Sequence, residues 1–179
     1  MDEQTKQKKK TILGWGIYLV VLLALMITFR VFLMIGRVPS ESMEPTLMVH
    51  DWMLADRRAF VDEERPKRGD ILIFYQQDEE ETMVKRVIGL PGETVSFVGG
   101  KVYIDGEPLD ESAYLDDSVV TDVDEDGKTF TVPDNSYFML GDNREISLDA
   151  RYWEHPYITL DDIKSKEFYI IPFHKLPWF

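Results

Sequence analysis

A mainly β domain behind one N-terminal transmembrane helix is the architecture this chain predicts. Two observations point to β structure: short apolar runs recur along residues 70–140, and turn pairs containing glycine separate them. A third points to the helix. No charged residue occurs from Thr11 to Phe29, and the apolar run resumes after Arg30 as far as Gly36. A helix needs roughly 20 apolar residues to cross the hydrocarbon core of a bilayer, so the segment is long enough.

Lys6, Lys8, Lys9 and Lys10 precede that run, while Arg30 and Arg37 follow the charge-free stretch. The asymmetry predicts an inside N-terminus and an outside C-terminus, with Arg30 reaching for the outer interface. A cleaved signal peptide is also basic and then apolar, but its apolar core usually spans roughly 7–15 residues. The stretch here is longer, and Met34, Gly36 and Val38 make a poor small-x-small processing site. The expected organisation is a cytoplasmic basic tail over residues 1–10, an uncleaved anchor over 11–36 and an extracytoplasmic domain over 37–179.

That domain is acidic. Six of the 20 Lys and Arg residues precede Val38, but only two of the 33 Asp and Glu residues do. Nucleic acid as a partner would call for a basic patch and is not expected; the surplus of negative charge serves solubility. Cysteine is absent, which excludes disulfides, thiol catalysis and thiolate metal sites.

Within the domain, Asp70–Tyr75 follows Arg68-Gly69 as one strand. Thr94–Val98, Gly99-Gly100 and Lys101–Ile104 read as a hairpin with a two-residue loop, and Asp105-Gly106 makes a second turn. Lys128–Val132 and Tyr137–Leu140 are further strands. Thr159–Lys166 alone has a helical signature, a Thr cap with acids in the first turn. Residues 110–126, the most acidic and least patterned stretch, are expected as a surface excursion. Asp122, Asp124, Asp126 and Gly127 imitate the opening of a calcium-binding loop, but its twelfth position is Pro133 instead of Glu. A solvated turn is expected there, with no metal and no cofactor.

His50, His155 and His174 lie in no catalytic motif, and neither G-x-S-x-G nor H-E-x-x-H occurs. Two stretches remain: PSESMEPTL at 39–47 and VKRVIGLPG at 84–92. In the first, Pro39 and Pro45 restrict the backbone on either side of Ser42 and so fix where its hydroxyl points. The plain alternative is a turn serine. In the second, Met83, Val84, Val87 and Ile88 surround Lys85 with apolar neighbours. If the side chain points inward, desolvation disfavours the ammonium; lowering it from about 10.4 to about 7 represents roughly 4.6 kcal/mol, within the reach of burial. The neutral amine is then a base for the serine proton. The plain alternative is an exposed strand lysine beside Arg86.

The order of motifs resembles the type I signal peptidases, membrane-bound serine-lysine enzymes that remove signal peptides from secreted proteins. It runs from the anchor through PSESMEPTL, RGDILIF at 68–74 and VKRVIGLPGE at 84–93 to GDNREISLDAR at 141–151. A single anchor is similar to the Gram-positive form of the family. The resemblance implies the β fold shared by signal peptidases and the SOS-type repressor autoproteases. It also implies Ser42 as nucleophile and Lys85 as general base, with the Ser42 N–H and the Ser40 side chain as oxyanion donors. Ser147 matches a serine that orients the lysine. Asp149 and Arg151 match an ion pair beneath the site, with Asp142 and Asn143 supporting the same turn. The implied partners are preprotein signal peptides, membrane lipid and the secretion translocon. Glu145-Ile146 and Ala150 depart from the Asp-Asn and Ser frequent in the family, which predicts altered local packing with activity kept.

An extended substrate would then add as a strand beside residues 38–42 and 82–85, gaining affinity from backbone hydrogen bonds. Val38, Met43, Leu47, Met83 and Val84 would wall shallow pockets that admit Ala or Gly. Ser42 lies six residues beyond Gly36, a tether of at most about 20 Å, which keeps it near the membrane surface. The aromatic tail Pro172–Phe179 would sit at the interface or in the core. A repressor autoprotease would carry a DNA-binding module where this chain has an anchor. A non-catalytic membrane-tethered binding domain is the alternative, and it would leave Ser42, Lys85 and Ser147 without a shared purpose.

Overall fold

The computed structural model describes residues 3–60, 64–123 and 127–172. Helix α1 spans Glu3–Phe32. Within its 23-residue segment Lys10–Phe32 an 18-residue stretch has mean hydropathy 2.4, and protein buries none of that stretch. At 1.5 Å per residue these 23 residues extend about 35 Å, against a hydrocarbon core of about 30 Å. Leu13, Tyr18, Leu19 and Leu23, spread around the helix, are all exposed. An apolar surface on every side fits a lipid environment. The expected anchor ran to Gly36, but the helix stops at Phe32 because Leu33–Arg37 pairs into a sheet as strand β1.

The domain from Met34 onward contains two sheets. After β1 come β2 (Trp52–Asp56), β3 (Ile71–Gln76), β4 (Glu81–Gly89), β5 (Thr94–Val98), β6 (Lys101–Ile104) and β7 (Glu107–Pro108). They are followed by β8 (Thr129–Thr131), β9 (Ser136–Leu140), β10 (Tyr157–Thr159) and β11 (Ile163–Ile171). One sheet runs in the order β1-β2-β11-β3-β4-β9-β10 and the other β7-β6-β5-β8. The period-2 geometry of β3 divides its apolar run between two cores. Leu72 and Phe74 join the larger cluster with Val87, Phe97, Phe138 and Trp153. Ile71 and Ile73 join a smaller one with Val38, Met43, Leu47 and Met53. This second cluster holds up the turn that carries Ser42.

The hairpin forms at Gly99-Gly100, where φ values of 56° and 75° meet the demand of a two-residue turn for left-handed backbone. Its register pairs Val98 with Lys101. Thr159–Lys166 does not form the expected helix. Only Leu160–Asp162 turns, as one short 3-10 turn, and the Asp162 carboxylate accepts hydrogen bonds from the Thr159 N–H at 3.1 Å and hydroxyl at 2.6 Å. From Ile163 the chain becomes β11, which pairs with β2 and β3 on its two edges. The cap signal is local and real, but partner strands decide the structure of the residues beyond it.

Residues 110–123 are no simple surface excursion either, since Tyr114 and Val123 pack on the larger core. Of the calcium-like acids, Asp124 and Asp126 lie outside the described residues. The Asp122 carbonyl accepts hydrogen bonds from Arg151 Nη1 at 2.8 Å and the Tyr152 hydroxyl at 3.3 Å. The aromatic tail from Phe173, with His174, also lies outside the described residues.

Candidate active site

Ser42 sits in a 3-10 turn, Glu41–Met43, closed by the Glu44 N–H on the Glu41 carbonyl at 3.0 Å. Two buried apolar residues, Met43 and Leu47, anchor this turn in the smaller core. The serine is thereby held at the rim, and its Oγ lies 3.3 Å from Ser40 Oγ. Two hydrogen bonds tie the turn to the loop after β9: the Asn143 N–H donates to the Ser42 carbonyl at 3.1 Å, and Asn143 Nδ2 donates to the Glu41 carbonyl at 3.2 Å.

Lys85 stands in β4 opposite Leu72 of β3. It is only 3% exposed, and its Nζ donates to Ser147 Oγ at 2.9 Å. Burial lowers the amine from its usual 10.5 to about 8; the Asp149 carboxylate opposes that shift, Arg151 adds to it, and Glu81 and Asp142 oppose it. The inward orientation follows from the sheet. Central strand β4 pairs with β3 along Glu81–Arg86 and with β9 from Arg86 onward. Glu81–Lys85 therefore keeps one edge that no described strand covers.

Around these groups, residues 141–151 fold into a loop held by charge. Asp149 and Arg151, both buried, pair at 2.8 Å. The second Asp149 oxygen accepts the Gly141 N–H at 3.0 Å. Arg151 Nη2 reaches the Arg144 carbonyl at 2.9 Å and the Ser147 carbonyl at 3.3 Å. Full satisfaction matters here, because an unpaired charge at such depth costs several kcal/mol. Asp142, expected with Asn143 to support the same turn, makes its contacts with β4 and the serine turn. It takes a two-pronged contact from Arg86 at 2.8 and 2.6 Å and a hydrogen bond from Thr46 at 2.5 Å. Asp142 and Asn143 thus fasten the serine turn to β4 and to the loop.

Gly141 was not singled out in the sequence, yet it is the tightest position of the site. A Cβ there would lie 2.1 Å from Ser147 Oγ and 2.4 Å from the Ser42 carbonyl oxygen. No L side chain fits without displacing one of them. Its presence in GDNREISLDAR was a signal, but only the fold shows what presses on it. Arg86 and Thr46 were missed for a related reason, since Asp142 meets them across 56 and 96 residues.

Ser42, Ser40 and Lys85 open onto one groove of about 730 Å³. Val38, Met43, Leu47, Met83 and Val84 all line it, as does Ile146, one of the three departures from the family pattern. His50 and His155 do not line the groove, and His155 contacts Asp78 at 2.6 Å in an exposed position. Among the described residues no cluster of His, Asp and Glu converges as a metal site.

These features define a groove beside a β-sheet that holds a serine and a buried lysine, and comparison with known proteins gives the family. The family model described as "Signal peptidase, peptidase S26" matches residues 12–171, and the chain belongs to that family. Signal peptidase I of Leptolyngbya laminosa is 41% identical over 124 residues, covering 65% of this chain and 58% of that protein. Signal peptidase I of Bacillus amyloliquefaciens is 33% identical over 188 residues, 98% of this chain and 96% of its own. Signal peptidase I S of Bacillus subtilis strain 168 is 30% identical over 98% of both chains. A crystal structure of a signal peptidase I from Enterococcus faecalis V583 aligns with TM-score 0.46 at 30% identity, over 57% of this chain and 96% of the other.

Proposed function

We propose that this protein is a membrane-anchored serine endopeptidase that removes signal peptides from exported preproteins, with Ser42 as nucleophile and Lys85 as general base. The observation that carries this reading is the buried Lys85 amine, lowered to about 8 and aimed by Ser147, on the wall of the groove that also holds Ser42. Near neutral pH an appreciable fraction of that amine is unprotonated, whereas an ordinary lysine would be almost wholly charged.

In the proposed reaction a substrate strand adds along the open edge of Glu81–Lys85, opposite residues 38–42. Its arrival frees the Ser42 hydroxyl from Ser40 and turns it toward Lys85. The amine takes the hydroxyl proton as Oγ attacks the scissile carbonyl carbon. The Ser42 N–H and the Ser40 hydroxyl donate to the oxygen that gains charge, a contribution of about 2.7–4 kcal/mol per donor. The Lys85 ammonium then protonates the leaving amine, which becomes the mature N-terminus. Water, deprotonated by the same amine, hydrolyses the acyl ester and restores Ser42. Val38, Met43, Leu47, Met83 and Val84 leave shallow space for small side chains before the cut, which fits small-x-small sites. Helix α1 supplies the anchor, the lysine-rich end lies on the cytoplasmic side, and lipid and the secretion translocon are the neighbours.

Cleavage of a preprotein by the full chain in detergent tests the reading. Wild type should cut after a small-x-small site, and Ser42→Ala and Lys85→Ala should each lose activity while remaining folded. Lys85→Arg should be equally inactive, because a guanidinium does not release its proton. Substantial activity in Lys85→Arg would remove the lysine from the base role. An inert wild type would favour a binding domain.

A further inference from the structure

Two arginines bracket the site without touching the groove, and one segment grips both. Arg144, 2% exposed, donates to the Gly141 carbonyl at 2.9 Å and to Thr121 Oγ1 at 2.6 Å, and it pairs with Glu111 at 2.5 Å. The Tyr114 hydroxyl donates to the same Glu111 carboxylate at 2.7 Å. Burial holds that hydroxyl well above its usual value, so it stays protonated and remains a donor. The Tyr114 ring lies 4.0 Å from the guanidinium carbon of Arg86, the residue after Lys85. The far end of the segment is fixed as well. The Thr121 N–H donates to the Gly100 carbonyl at 2.8 Å, and Lys101 Nζ to the Asp117 carbonyl at 2.9 Å.

The arginines transmit these contacts to the reacting groups. Arg86 continues the β4 backbone from Lys85 and holds Asp142, whose other partner is Thr46 in the serine turn. Arg144 holds the carbonyl of Gly141, the residue wedged between Ser147 Oγ and the Ser42 carbonyl. A lost contact at either arginine therefore reaches the hydrogen bond that aims Lys85. It also admits water beside an amine that burial keeps partly neutral.

We propose that residues 111–121 are a brace, in which Glu111 and Tyr114 act as positioning residues that hold Lys85, Ser147 and Ser42 in catalytic register through Arg86 and Arg144. The inference rests on the reading of Ser42 and Lys85 as nucleophile and base. It assigns two kinds of acid within the segment. Glu111 neutralises a buried guanidinium, whereas the exposed carboxylates of Asp116 and of Asp110, just before the segment, accept from the nearby serines 118 and 112.

The test compares Tyr114→Leu, Tyr114→Phe, Glu111→Gln and the control Asp116→Asn in the full chain in detergent. Preprotein cleavage gives kcat and KM, and NMR of carbon-13-labelled lysine follows the Lys85 amine through its titration. Tyr114→Leu removes both the ring over Arg86 and the bond to Glu111. It should lose about tenfold in kcat, with KM changed less than about twofold. Its Lys85 titration should move upward from about 8 by about one pH unit. Glu111→Gln should shift both readouts in the same direction, and it serves where Tyr114→Leu fails to fold. Tyr114→Phe, which keeps the ring, should retain most activity, and Asp116→Asn should match wild type. Folded Tyr114→Leu and Glu111→Gln with wild-type kcat and titration would overturn the brace, as would an equal loss in Asp116→Asn. The lysine titration needs no substrate, so it reads the brace even if wild type and Ser42→Ala prove equally inert, the outcome that defeats the peptidase reading.

Discussion

Lys85 is costly to the fold, and its cost has a sign and a pH window. Its folded value of about 8 lies below the ordinary 10.5, so between those limits the unfolded chain holds a proton that the folded chain has released. Stability therefore rises with pH across that window, and below about pH 8 the full penalty of about 3 kcal/mol applies. Lys85→Met, which fills similar space without charge, should stabilise the protein at pH 7 by about 1–3 kcal/mol while abolishing cleavage. Denaturant unfolding at pH 7 checks this, and a destabilised Lys85→Met would mean that the amine is comfortably solvated. Gly141→Ala makes the complementary test. Its Cβ has to push Ser147 Oγ or the Ser42 carbonyl aside, so kcat should fall about a hundredfold with secondary structure retained by circular dichroism. That Ser42 sits in a tight turn and Lys85 points inward was legible in the sequence, because each stands in a short local pattern, between prolines or within an apolar run. Gly141 was not, because what presses on it comes from residues 42 and 147 through the fold.

Among the elements, the loop 141–151 is the most exposed to a single change. Its Asp149–Arg151 pair is fully desolvated and satisfied from all sides. Asp149→Ala strands the guanidinium and should cost about 3–5 kcal/mol. A thermal melt checks this, and a shift of under about 2 °C would show that solvent already reaches the pair. The elements also show where local reading stops. The Gly99-Gly100 hairpin was legible because turn chemistry and strand alternation are both local and agree. Thr159–Lys166 was misread because its cap is local, while the partners of β11 are β2 and β3, whose sequence lies about a hundred residues earlier. Residues 110–123 misled in the same way: Glu111 looks solvated until Arg144 arrives from further along the chain, and Arg151 comes to the Asp122 carbonyl.

For the whole molecule, the helix and the domain divide the work. The anchor was legible because a membrane-spanning helix needs only length and apolarity. Its end at Phe32 was not, because strand pairing claims Leu33–Arg37 without any break in apolarity. A chain beginning at Met34 should partition into water and keep its folded spectrum, since the two cores lie within the domain. Sedimentation after membrane extraction reads the partition, and aggregation of that chain would assign the helix a structural part in the domain. The activity proposed here depends on Lys85, whose amine burial lowers to about 8. The pH dependence of kcat/KM for preprotein cleavage by wild type, measured from pH 6 to 10, addresses that claim most directly. A rising limb with its midpoint near 8 is the predicted result; a limb near 6.5, as a histidine base would give, or one near 10.5, as a solvated lysine would give, would contradict it.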